Sequence, residues 1–132
     1  LKVAGEKGYG IIVRMALQFG LLTGKFDQQA SFAPNDHRKN RLIPEVISFA
    51  NKALQPVWDL FEKYKMNKTQ LALSYVLSYP QVSTIIAGIR TAAHAEANTT
   101  GLKKLDEADV RMIEQLGTTE FISVMEMIQK QG

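Results

Sequence analysis

Lys25 closes the run Arg14-Met15-Ala16-Leu17-Gln18-Phe19-Gly20-Leu21-Leu22-Thr23-Gly24-Lys25 and is the first residue placed to do chemistry. Gly20 and Gly24 permit close approach by a bound group, so backbone N–H donors and the Lys25 ammonium together suit a diphosphate. The same residues would also serve as a tight turn with a solvated lysine. A second constellation is Ile85-Ile86-Ala87-Gly88-Ile89-Arg90-Thr91-Ala92-Ala93-His94-Ala95-Glu96-Ala97-Asn98. Gly88 and Arg90 lead into a helix, and His94 and Asn98, spaced by one turn, share a face of it. The N–H groups at a helix start, the helix dipole and Arg90 together favour an anion. Asn98 offers both a donor and an acceptor, as the edge of adenine requires. The plainer reading leaves Arg90 and His94 in solvent and Asn98 bonded to its own helix.

The elements that must carry these residues are legible in outline. The apolar, β-branched run from Gly10 to Leu17 does not alternate and predicts a buried strand. A loop from Gly20 to about Asn40 exceeds ordinary connector length, which favours a functional flap. From Pro44 a helical stripe follows through Val46, Ala50, Ala53, Val57, Leu60, Phe61 and Tyr64, with Pro56 expected to kink or split it. Asn67-Lys68-Thr69-Gln70 has the form of a capping box and opens a second helix, which Pro80 ends. Val82 to Ile86 predicts a second buried strand. Thr91 caps a helix to about Thr100, and Asp106 starts another that stops at Gly117. A helical tail at about 118–131 carries Phe121, Val124, Met125 and Ile128. Strands alternating with helices imply an α/β fold with parallel pairing, and two parallel strands alone do not complete a sheet.

The first run resembles the aldo-keto reductase segment after the seventh barrel strand, Pro-Leu-x-x-Gly-Leu-Leu-Thr-Gly-Lys. Leu17, Gly20, Leu21, Leu22, Thr23, Gly24 and Lys25 match it, and Ala16 replaces the usual Pro. Phe32, Asp36 and Arg38 are similar to the family's Phe-x-x-x-Asp-x-Arg insertion, and Leu71 to Leu77 resembles its intervening helix. The second run resembles Ile-Pro-Gly-x-Arg-x-x-x-Gln-x-x-Glu-Asn after the eighth strand, with Gly88, Arg90 and Asn98 matching. Ala87 departs from Pro, His94 stands where Gln or Arg is usual, and Ala97 replaces a Glu that contacts adenine. The resemblance implies the C-terminal portion of a TIM (β/α)8 barrel, covering 1–132 as a single partial domain that begins just before the seventh strand.

It also implies an NADPH cradle built from Arg14, Leu17, Gly20, Leu22, Lys25, Gly88, Arg90, His94 and Asn98. The loop would cover the diphosphate, Arg90 and His94 would hold the adenosine 2′-phosphate, and Asn98 would hold adenine. Arg14 stands where the family often stacks an aromatic ring on the nicotinamide. A guanidinium plane would stack similarly, and the alternative is an ion pair with a carboxylate elsewhere in the barrel. Trp58 and the tail methionines read as packing residues. The family's chemistry is carbonyl reduction by hydride transfer, with a Tyr proton donor tuned by Lys, Asp and His on earlier strands. None of these maps onto the chain, so no catalytic residue is assigned and the chain alone is expected to be inactive. Tyr64, Tyr75 and Tyr79 are expected on wall-facing helices, and Tyr9 at the wrong end of its strand. A carbonyl substrate in the parent reductase, and either the N-terminal part of the barrel or a second copy, are the expected partners. A cofactor-sensing protein of the same fold and a small stand-alone binding module remain alternatives.

Composition removes other classes. With no cysteine and only two histidines, His37 and His94, no metal centre or thiol chemistry is expected. The net charge of +3 comes with no basic–aromatic stripe, so nucleic acid is not an expected partner. No apolar run approaches a membrane span, and no leader pattern is visible, so a cytoplasmic location is expected.

Overall fold

A computed structural model describes residues 1–131. Helix α1 (Lys2–Glu6) leads to strand β1 (Ile11–Arg14), a 3₁₀ segment at Gln18–Thr23, and the short helix α2 (Arg38–Arg41). Then come α3 (Pro44–Trp58), α4 (Phe61–Tyr64), α5 (Lys68–Leu77) and strand β2 (Val82–Ile86). Helices α6 (Ala92–Thr99), α7 (Glu107–Gly117) and α8 (Glu120–Lys130) complete the order.

The strands pair in parallel, with Ile12 beside Thr84, Val13 beside Ile85 and Arg14 beside Ile86. Between Ile11 and Ile12 the register slips, and the Ser83 hydroxyl accepts from the Ile11 N–H at 3.2 Å. That side chain thus satisfies the donor which the irregularity leaves without a ladder partner. Strand β1 ends at Arg14, well short of Leu17, because Met15 turns to φ 57°. The expectation of buried strands is corrected. Ile11 and Val13 are half-buried, whereas Ile12 and Ile86 are 61% and 63% exposed. Helix α5 packs against β2, and the face carrying Ile12, Arg14, Thr84 and Ile86 stands exposed.

The core lies between helices. Leu21, Leu42, Val46, Ile47, Ala50 and Ala53 meet Val124 and Ile128 of the tail helix. Val57, Met66, Leu71, Leu105 and Ile113 form a second cluster. Pro44 occupies the first turn of α3, where its missing N–H costs no helical bond. Pro56 does not split α3, which continues to Trp58; its missing N–H removes one helical bond, to the carbonyl of the exposed residue Lys52. The break falls just beyond Trp58, at Asp59 and Leu60. Helix α4 restarts out of phase and leaves Phe61 47% exposed rather than on the buried stripe. The capping box forms as expected, since Asn67 Oδ1 accepts from Gln70 N and Gln70 Oε1 from Asn67 N, both at 2.9 Å. Helix α7 begins after Asp106, whose side chain pairs with Lys63 at 2.8 Å instead of capping. Helix α1 has no sequence signal and buries no residue.

Candidate functional site

The chain leaves β1 through backbone that few side chains favour. Met15, Gln18 and Phe19 have φ of 57°, 43° and 58°, followed by Gly20 at 90° and Gly24 at 64°. Left-handed non-glycine residues carry a conformational penalty, and such clusters are characteristic of ligand-holding turns. Local bonds hold the turn: Thr23 Oγ1 donates to the Gly20 carbonyl at 2.6 Å, and Gly24 N donates to the Leu21 carbonyl at 3.2 Å.

The stretch after Lys25 is pinned rather than loose. Phe26 and Phe32 meet edge to face at 5.2 Å, and the Arg38 guanidinium lies over both rings. Arg38 is held in turn by Asp36 at 2.5 Å, and this pairing keeps the Asp36 carboxyl well below the usual carboxylate range. Asn51 of α3 donates to the Phe26 carbonyl at 2.9 Å. The loop expected between Gly20 and Asn40 therefore starts in the 3₁₀ segment, ends in α2, and is tied to the core by aromatic rings between them.

On the other side β2 delivers Ala87 and Gly88 toward α6. Thr91 Oγ1 accepts from His94 N at 3.1 Å, as its capping position demands. Asn98 Nδ2 donates to the Gly88 carbonyl at 3.2 Å, so the asparagine is tied to the strand's exit rather than to its own helix. A β-carbon on Gly88 would meet nothing within 4 Å, so its backbone is open to close approach on that side.

Between these walls runs a groove of about 800 Å³. Leu17, Gly20, Lys25, Gly88, Arg90, His94 and Asn98 all line it, so the two sequence constellations border one groove. Arg38 and Lys68 add cations outside the expected cradle, and no Asp or Glu lines the groove among the described residues. Two of the expected residues lie elsewhere. Leu22 borders an adjoining apolar cavity of about 290 Å³, together with Trp58, Tyr75 and Val124. Arg14 sits on the open sheet face, its guanidinium 4.0 Å from the Met15 sulfur and in no ion pair among the described residues.

The tyrosines are engaged in structural bonds. Tyr64 donates to Asp109 and accepts from Asp106 N at 2.8 Å. Tyr75 and Tyr79 share a hydroxyl contact at 2.8 Å, and Tyr79 donates to Glu114 at 2.6 Å. Burial first, then the Glu114 and Tyr75 contacts, raise the Tyr79 phenol far above its ordinary value. Tyr79 lies in the turn after α5 rather than on the helix. Tyr9 is exposed ahead of β1.

The sequence pattern of the aldo/keto reductase family matches residues 1–118, which include both walls of the groove. The chain belongs to the aldo/keto reductase family. Two L-glyceraldehyde 3-phosphate reductases, from Escherichia coli O157:H7 and strain K12, are each 29% identical to it over 108 residues. Each match covers 76% of this chain and 30% of the relative. The solved structure of a glycerol dehydrogenase from Gluconobacter oxydans superposes with a TM-score of 0.73 at 19% identity, over 88% of this chain and 36% of that one. That likeness is one of fold: this aldo/keto reductase chain is a portion of a (β/α)8 barrel with its strands parallel. It spans about a third of the length of the relatives it matches.

Proposed function

We propose that the groove holds NADPH, and that the chain is the cofactor-holding C-terminal part of a cytoplasmic reductase converting aldehydes or ketones to alcohols. One observation carries this reading: two motifs far apart in sequence converge on a single groove lined by cations and by no carboxylate. A dinucleotide carrying three phosphates needs that charge balance, and the open backbone at Gly88 allows close approach. Lys25 and the Gly20–Gly24 turn face the diphosphate. Arg90 and His94 take the 2′-phosphate, and Asn98, held at Gly88, presents its amide to adenine. Leu17 supports the site from the start of the 3₁₀ segment, and Leu22 packs behind the turn. Arg14, at the C-terminal end of β1, lies toward the nicotinamide end, where barrel enzymes react. When bound, the cofactor supplies the hydride. The chain's own residues bind and orient it but offer no proton donor beside it, so the segment alone is inactive. The carbonyl substrate and the remaining strands, or a second copy, complete the site from the open sheet face.

Arg90→Ala in the full-length protein tests the assignment. A charge-assisted contact to phosphate supports an expected rise of about tenfold or more in the dissociation constant for NADPH. The constant for NADH, which lacks that phosphate, should hardly move. Equal weakening of both cofactors would make Arg90 a structural residue and place the 2′-phosphate elsewhere.

A further inference from the structure

We infer that Lys68 is a second cation for the cofactor diphosphate, parked on the Trp58 ring and turned toward the groove when the anion enters. The inference rests on the reading of the groove as a dinucleotide site. Lys68 Nζ lies 3.5 Å from the centre of the Trp58 ring, and that indole is itself buried at 8% exposure. The lysine stem crosses Gly24 so closely that a β-carbon there would fall 2.3 Å from Lys68 Cδ and 2.7 Å from Nζ. A β-carbon on Gly20 would fall 3.5 Å from Lys25 Cε. Gly24 therefore carries the Lys68 stem, Gly20 lies against the Phe26 ring and Lys25, and both lysines line the groove.

Lys68 is poorly placed for a residue with only a structural duty. It is half-buried, and no carboxylate lies within ion-pair distance of it among the described residues. It is also the first residue of α5, where the positive end of the helix dipole opposes a cation. Lys63 reaches Asp106 and Asp109, Lys65 reaches Glu62, and the other lysines stand exposed in solvent, so among the described residues Lys68 is the half-buried lysine without a counter-ion. The indole face offsets part of the burden. An anion in the groove supplies the missing counter-charge, and a diphosphate presents one phosphate to each lysine. Arg90 distinguishes the two cofactors, whereas Lys68 acts on the portion they share.

The test uses the full-length protein and three probes: inorganic pyrophosphate, NADPH and NADH, each titrated by calorimetry. Lys68→Met keeps a stem to lie on Trp58 but removes the charge. It should weaken all three probes by about tenfold, the size expected for one charge-assisted contact. Lys68→Arg should restore binding to within about twofold, since the charge returns. Unchanged pyrophosphate affinity in Lys68→Met would overturn the inference and leave Lys68 as a packing residue. So would Lys68→Arg binding as weakly as Lys68→Met with both variants melting early, because the loss would then be one of shape. If the unaltered protein bound pyrophosphate but neither cofactor, the dinucleotide reading would fail, while the pyrophosphate comparison would still judge Lys68.

Discussion

Aldehyde-dependent oxidation of NADPH by the purified 132-residue chain is expected to stay at the rate of a boiled control. Reduction of a carbonyl needs a proton delivered to its oxygen as hydride arrives, and a positioned acid contributes on the order of 10²–10⁴ in rate. The tyrosine hydroxyls that could be drafted are already engaged. Tyr64 is fixed between Asp109 and the Asp106 backbone, and the Tyr75–Tyr79 pair is fixed on Glu114. Raising the Tyr79 phenol makes it a still weaker acid. Tyr9 precedes β1, at the end opposite the groove. NADPH affinity measured on the same sample separates a missing acid from a missing cofactor. Turnover above the control would show that the chain carries a proton donor which this assignment of roles lacks.

The isolated chain should also fail to remain a monomer. Its sheet has only two strands, and two-stranded sheets are marginal in water. Ile12 and Ile86 stand exposed on the uncovered face, with Ile89 close behind at 58% exposure. Apolar surface of this kind, next to open strand edges, recruits a partner. Sedimentation is expected to show dimers or larger species. Addition of the N-terminal part of the barrel should convert them to a one-to-one complex. Replacing Ile12 and Ile86 together by Lys should return the chain to monomer without disturbing the helical core, since neither residue belongs to it. A monodisperse, cooperatively melting monomer of the unaltered chain would mean that the segment closes its own core, and the barrel-segment account would have to be abandoned.

Local rules carried much of this structure. The Asn67–Gln70 box, the Thr91 cap, the parallel strands and the tail helix follow from residue type and spacing alone. What escaped was tertiary. Non-alternating strands were expected to be buried on both faces, but burial depends on neighbours, and Ile12 and Ile86 have none on one side. The phase change after Trp58 that exposes Phe61 depends on where a helix breaks, which Pro56 marks only to within a few residues. In the site, glycine pattern and resemblance located both walls. Lys68 carried no motif of its own, and its place in the groove arises only because α5 packs its first turn against Gly24. Arg14 and Leu22 belong to the expected cradle through the family resemblance alone. The reversal of backbone direction at Met15 sends their surroundings apart, to the open sheet face and the apolar cavity.

Amide hydrogen exchange of the full-length protein, with and without NADPH, bears most directly on the claim that the two motifs make one cofactor site. Exchange should slow together over residues 20–25 and 88–98, while α7, remote from the groove, keeps its rates. Protection confined to one of the two segments, or found only outside both, would contradict the account.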